Sequence, residues 1–126
     1  MKKLLIADDE EGVRALVRMT LDRADYEILE ASNGDDALEL ARTQHPELIL
    51  LDVEMPRRSG LDVCRALKAD TTTAGATVVM LTARSQQTDL TAGHAAGADG
   101  YFTKPFSPSA LLGKVEEILG PNGGGP

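Results

Sequence analysis

The stretch Glu47-Leu48-Ile49-Leu50-Leu51-Asp52 decides the fold. Four apolar residues in a row, running straight into a carboxylate, suit a strand buried on both faces, as in a parallel sheet covered by helices. Asp52 then stands at the carboxyl end of that strand. Open α/β sheets bind their ligands in the crevice outside the carboxyl ends of their strands. Taken singly, Asp52 also suits a cap on the turn Val53-Glu54-Met55-Pro56. The ends of the other strands decide between the two.

Working outward, short apolar runs alternate with helical spacing. Residues 3–7 read as a first strand. A first helix runs from Asp9 to about Ala24, with Val13, Leu16, Val17, Thr20 and Leu21 on one face. Asp8, Asp9, Glu10 and Glu11 suit that helix's positive end. Residues 26–31 form a second strand. Ser32 or Asn33 caps a second helix, apolar at Ala37, Leu38, Leu40 and Ala41, which stops near His45-Pro46. After the third strand (47–51), a loop over 52–59 leads through Gly60 to a third helix carrying Leu61, Val63, Cys64 and Leu67. A loop rich in Thr, Ala and Gly spans 69–77. A fourth strand, 77–81, ends at Thr82, and a weaker fourth helix is predicted over 85–96. A short fifth strand, 99–102, runs into Thr103-Lys104-Pro105. Ser107 caps a fifth helix with Pro108 at its first position and a stripe of Leu111, Leu112, Val115, Ile118 and Leu119.

Five βα units predict an α/β fold, a flavodoxin-like (βα)5 three-layer sandwich with a five-stranded parallel sheet. Crossovers are right-handed, and the expected strand order is 2-1-3-4-5. That order reverses between strands one and three, which brings Asp8 and Asp9 together with Asp52. Residues 1–119 are read as one domain and 120–126, rich in Gly and Pro, as a flexible tail or the start of a linker.

The composition narrows the function. The 126 residues are 42% apolar and 26% charged, but only 3% aromatic, so the core rests on Leu, Val, Ile, Ala and Met. No apolar run approaches the ~20 residues of a membrane span. The run Leu4-Leu5-Ile6-Ala7 is shorter than the roughly 7–15 residues of a secretory signal. Cys64 is the only cysteine, which excludes a disulfide framework and a Cys-rich metal site and fits the cytoplasm. Thirteen Lys+Arg against twenty Asp+Glu give a net charge of −7. Such an acidic domain is a poor nucleic-acid binder, so neither direct nucleic-acid binding nor a membrane partner is expected.

Three carboxylates meeting at one crevice repel unless something positive joins them. Hard divalent cations take oxygen ligands, and Mg²⁺ (or Mn²⁺) combines one or two carboxylates with waters and substrate phosphate. Thr82 ends strand four, where its hydroxyl bonds an anionic oxygen or caps a helix. Lys104 ends strand five, as a counter-charge or as a solvated surface lysine. Jointly, the plainer accounts need five polar residues to fall by accident at the carboxyl ends of strands one, three, four and five.

These residues resemble those of the receiver domains of bacterial two-component response regulators, the chemotaxis-regulator-like fold. The matching motifs are Leu-Leu-Ile-Ala-Asp-Asp-Glu (4–10), Leu-Ile-Leu-Leu-Asp (48–52) with Met-Pro-x-x-x-Gly (55–60), Met-Leu-Thr-Ala (80–83) and Gly-Ala-Asp-Gly-Tyr-x-x-Lys-Pro-Phe (97–106), over about residues 2–119. The resemblance implies that Asp52 accepts a phosphoryl group from a sensor histidine kinase or phosphotransfer protein. It implies that Asp8, Asp9, an Asp52 oxygen and the backbone carbonyl of Glu54 hold Mg²⁺, with Asp9 the more direct ligand. It further implies that Thr82 bonds a phosphoryl oxygen, that Lys104 pairs with the acceptor or the phosphoryl group, and that Lys104-Pro105 is cis. Thr82 and Tyr101 are the implied switch pair. The surface read out would be the fourth helix, fifth strand and fifth helix, controlling a protein target or an output domain. The expected protein is a signalling switch, not a turnover enzyme. Glu54 and Arg84, each two residues beyond a site residue, are further expected to pair over the site and slow loss of phosphate.

Two other classes are weighed. An aspartate-nucleophile phosphatase usually shows a second Asp two residues after the nucleophile; here that residue is Glu54. A flavin or nucleotide binder needs a Gly-, Ser- or Thr-rich phosphate loop after a strand, where this chain has Asp8-Asp9-Glu10-Glu11. The fifth helix, reading Leu112-Gly113-Lys114-Val115-Glu116-Glu117, lacks the arginines common in winged-helix regulators that dimerise through this face. The expected whole is a single-domain regulator or a receiver cut from a longer chain.

Overall fold

The computed structural model describes residues 2–22, 26–83 and 96–120. Five strands, β1 (Lys2–Ala7), β2 (Tyr26–Ala31), β3 (Leu48–Asp52), β4 (Thr77–Ala83) and β5 (Gly100–Lys104), form one sheet in the order β2-β1-β3-β4-β5. Every pairing is parallel. This is the predicted flavodoxin-like architecture, with β3 central and buried at all five residues.

Alternation along the strands sorts the core into two faces. Leu4, Ile6, Leu48, Leu50, Val79 and Leu81 pack against α1 (Glu11–Leu21) and the C-terminal helix (Pro108–Leu119) through Val17, Leu21, Leu111 and Val115. Leu5, Ala7, Ile49, Leu51, Val78 and Met80 pack against α2 (Gly34–Gln44) and α3 (Gly60–Ala69) through Ala37, Leu38, Ala41, Val63, Cys64 and Leu67. Small residues on α2 let that helix lie close to the sheet, in keeping with a core almost free of aromatics.

The ends of the elements follow local chemistry. Asn33 is the cap of α2, with its side-chain oxygen accepting from the Asp36 amide at 2.9 Å. His45 ends α2 in the left-handed region (φ 51°), and Pro46 follows. Ser107 caps the C-terminal helix and Pro108 sits in its first turn. Helix α1 starts at Glu11, later than expected at Asp9. The reason is a tight turn in which Asp8 Oδ1 accepts from the Glu10 amide at 2.9 Å, leaving Glu10 extended as the flanking residue. Strands β4 and β5 run further than expected, through Ala83 and Lys104, because the pairs Thr82–Thr103 and Ala83–Lys104 continue the ladder. Lys104-Pro105 is cis. The helix predicted over 85–96, apart from its last residue, and the tail beyond Gly120 lie outside the described residues.

Two long-range ties hold the frame. Gly34 and Gly60 lock the loop after β3 against its neighbours. A Cβ on Gly34 would lie 2.1 Å from the Arg58 carbonyl oxygen, and one on Gly60 would lie 1.9 Å from that of Asp52. At the opposite end of the sheet, Asp99 Oδ2 accepts from the Val78 amide and from Lys68 Nζ, both at 2.8 Å, and Lys68 also donates to the Ala76 carbonyl at 2.7 Å. No helix among the described residues is long and apolar enough to cross a membrane.

Candidate functional site: an acidic cleft at the carboxyl edge of the sheet

The order reversal between β1 and β3 opens a cleft of about 820 Å³ at the carboxyl ends of the strands. Asp9, Glu10, Asp52, Glu54 and Lys104 line it, with Val13, Leu16, Met55, Pro56 and Phe106 on its apolar rim. Asp52 is the last residue of β3 and is buried; Gly60 packs on its carbonyl side, and the Glu54 amide approaches its Oδ1 at 3.4 Å. Asp8 follows β1 directly and is wholly buried, whereas Asp9 and Glu10 are exposed.

Lys104 draws these acids together from the end of β5. Its Nζ lies 2.8 Å from Asp8 Oδ2, 3.5 Å from Asp52 Oδ1 and 3.6 Å from Glu10 Oε1. Burial works against the ammonium's charge, and the contact with Asp8 and the charges of Asp52, Asp8 and Glu10 outweigh it, holding Lys104 above its ordinary value. One ammonium does not settle the site. Asp8 Oδ2 is buried, and although Lys104 is close, it accepts no hydrogen bond of sound geometry. The Asp52 carboxyl is pushed up to about 7, first by burial and then by the charge of Asp8. Lys104 and the Glu54 amide pull it back, and Asp9 adds to the rise.

The donor set fits a hard cation. One oxygen from each of Asp8, Asp9 and Glu10 lies within 4.8 Å of the others, all are carboxylate oxygens, and the buried Asp8 Oδ2 has its ion pair with Lys104 but no hydrogen bond of sound geometry. Glu10 was not among the expected site residues. Its signal lies in the run Asp8-Asp9-Glu10-Glu11, which suits helix-end acids equally well.

The remaining expected residues lie elsewhere. Thr82 is buried on β4, and Tyr101 is half-buried on β5 against the α2–α3 core. By strand alternation Thr82 and Tyr101 share the α2–α3 face of the sheet, whereas Asp52 and Lys104 belong to the α1 face. The structure thus brings together Asp8, Asp9, Glu10, Asp52 and Lys104 in the cleft and sets Thr82 and Tyr101 on the α2–α3 face, where Thr82 pairs with Thr103 and Tyr101 with Met80. Arg84 lies outside the described residues, and with it the expected pairing to Glu54.

Comparison with known proteins adds the family. Residues 4–116 match the response regulator receiver domain. The chain is 41% identical over 118 residues to the alkaline phosphatase synthesis transcriptional regulatory protein PhoP of Bacillus subtilis, covering 94% of this chain and 48% of that protein. It is 40% identical over 124 residues to the phosphate regulon transcriptional regulatory protein PhoB of Pseudomonas aeruginosa, covering 98% of this chain and 54% of that one. Among solved structures, the chemotaxis response regulator CheY4 of Vibrio cholerae superposes with a TM-score of 0.87 at 33% identity, covering 94% of this chain and 99% of that chain. The chain therefore spans about half the length of the curated relatives it matches, and nearly all of the chemotaxis protein.

The relatives correct one expectation. An acidic balance pointed away from any nucleic-acid partner, yet the two curated relatives named above are transcriptional regulatory proteins. The net charge of a segment spanning about half of such a protein carries no information about what the rest contacts. Fold, motifs and cleft lead to one assignment: the chain belongs to the response regulator receiver domain family of two-component signalling.

Proposed function

We propose that this domain is a phosphorylation switch in which Asp52 accepts a phosphoryl group from a phosphohistidine of a sensor histidine kinase or phosphotransfer protein. The observation that carries the reading is Lys104 Nζ between the buried carboxylates of Asp8 and Asp52, 2.8 and 3.5 Å away, in an open cleft. An Asp52 carboxylate oxygen attacks phosphorus, the new O–P bond forms as the P–N bond breaks, and the histidine nitrogen leaves with the electron pair. Phosphoryl transfer is mostly positioning and charge neutralisation. Lys104 offsets the repulsion between the anionic nucleophile and the incoming group. Asp8, Asp9 and Glu10, with an Asp52 oxygen and the Glu54 carbonyl, would hold Mg²⁺ (or Mn²⁺). That ion, when bound, supplies further positive charge toward the phosphoryl oxygens.

Phosphorylation adds negative charge and acceptor oxygens at the end of β3. Thr82 then bonds a phosphoryl oxygen, and Tyr101, on the same face of the sheet, follows into the space vacated. The readout is the surface around β5 and the C-terminal helix, and its consumer is the control of transcription, in keeping with the relatives' roles. The domain is proposed to end near Leu119, with the Gly- and Pro-rich 120–126 as a tail or the start of a linker.

Intact mass after treatment with acetyl phosphate and Mg²⁺ tests this reading. Wild type should gain about one phosphoryl group, and Asp52→Asn none. No Mg²⁺-dependent gain in wild type, or an equal gain in Asp52→Asn, refutes it.

A further inference from the structure

We propose that Arg14 is the positioning residue of the acidic cleft: its guanidinium fixes the main chain of Asp8 and thereby holds the oxygens of Asp8, Asp9 and Glu10 ready for a divalent cation. The proposal rests on the reading of this cleft as a cation site. Three of the four polar atoms of Asp8 are held by hydrogen bonds. Its amide donates to the Ala31 carbonyl at 3.0 Å, its Oδ1 accepts from the Glu10 amide at 2.9 Å, and its carbonyl accepts from Arg14 Nη1 at 2.8 Å. The fourth, Oδ2, is buried and forms the ion pair with Lys104 Nζ at 2.8 Å without a hydrogen bond of sound geometry. Of the three hydrogen bonds, the first is a main-chain bond of the strand end, and the second closes the turn through the side chain of Asp8 itself. Among the described residues, Arg14 is the side chain that bonds the main chain of Asp8.

Arg14 is itself immobilised. Nη2 donates to Glu11 Oε2 at 2.6 Å, Nε faces Glu30 Oε1 at 3.4 Å, and the side chain is only 15% exposed. Two glutamates thus balance its charge, which explains how a guanidinium is tolerated beside a cluster built for cations. Partners that orient the groups around a metal govern its affinity almost as strongly as the ligands do.

Charge and position predict opposite signs. If Arg14 acted only through its charge, removing it would tighten cation binding, because one repulsive charge is gone. If it positions Asp8, removing it weakens binding. Arg18 supplies the control, since it pairs with the same Glu30 at 2.7 Å and Glu11 at 3.6 Å from the next turn of α1.

Mn²⁺ binding to the full chain, followed through the electron-spin-resonance signal of free Mn²⁺, decides. Arg14→Met is expected to bind about tenfold more weakly than wild type, and Arg14→Lys, which keeps a donor without the fork, about threefold more weakly. Arg18→Met is expected to bind at least as tightly as wild type. Arg14→Met binding as tightly as wild type or tighter overturns the proposal, as does an equal loss in Arg18→Met. Should Arg14→Met fail to fold by circular dichroism, Arg14→Lys decides alone: weaker binding supports the proposal and wild-type affinity overturns it. Failure of wild type to bind Mn²⁺ refutes the cation reading and the proposal together. Wild-type binding with no effect of Arg14 refutes the proposal alone.

Discussion

Asp52 carries a charge that its surroundings oppose, so replacing it with Asn should stabilise the fold. Burial, then Asp8, raise its carboxyl from 3.8 to about 7. That gap sets an upper bound of ~4 kcal/mol on the penalty for ionising Asp52 in the folded state. Water at the cleft mouth screens these charges and reduces the expected gain to about 2 kcal/mol. For a domain of this size the melting temperature then rises by roughly 6–10 °C. The pH dependence identifies the cause. Below about pH 4 the carboxyl is protonated in the folded and the unfolded chain alike. Between about pH 4 and pH 7 the unfolded chain releases a proton that the folded chain retains, so wild-type stability falls as pH rises and levels off above about pH 7. Asp52→Asn lacks this slope. Urea denaturation of both proteins, with a chelator present, should show the variant's advantage growing through that window. An Asn variant less stable at about pH 8, or an advantage as large at about pH 4 as at about pH 8, refutes the reasoning.

Three further outcomes follow from the geometry. Lys104→Met removes a charge that holds the Asp52 carboxyl down, so carbon-13 NMR should find Asp52 titrating above its wild-type midpoint of about 7; a lower midpoint contradicts the arrangement. Gly60→Ala places a Cβ 1.9 Å from the Asp52 carbonyl oxygen and should cost ~3 kcal/mol in urea denaturation, whereas Gly113→Ala, with open space in the C-terminal helix, should gain up to about 1 kcal/mol. Asn33→Ala removes the α2 cap and should cost about 1 kcal/mol in the same measurement, while Ser32→Ala should cost little.

Much of this was legible in the sequence because parallel strands are short apolar runs whose ends are marked by the first polar residue. Asp8 and Asp52 follow such runs directly, and the strand order then forces them together. Lys104 required one more step, since polar residues at the end of β5 read as loop although the ladder pairs them with β4. The sequence does not say which of two adjacent acids is buried; that depends on the turn closed by Asp8 Oδ1 onto the Glu10 amide, which also delays the start of α1. Periodicity is blind to such a bond. Glu10 and Arg14 escaped for a related reason. Each contributes through one contact across a turn, to Lys104 and to the Asp8 carbonyl, and leaves no pattern in the chain. The clasp of Gly34 on Arg58 is likewise a meeting of distant segments, visible only once the loop after β3 lies across α2. The nucleic-acid expectation failed differently: the average charge of a segment is a property of that segment alone.

The tie at Asp99 gives β5 an asymmetry. Its leading end is moored to the amide of Val78 and to Lys68, in bonds remote from the cleft. Its trailing end, Lys104, is held by the carboxylates of Asp8, Asp52 and Glu10. A change in the charge of the cleft therefore acts on β5 at Lys104, the end farthest from the mooring at Asp99.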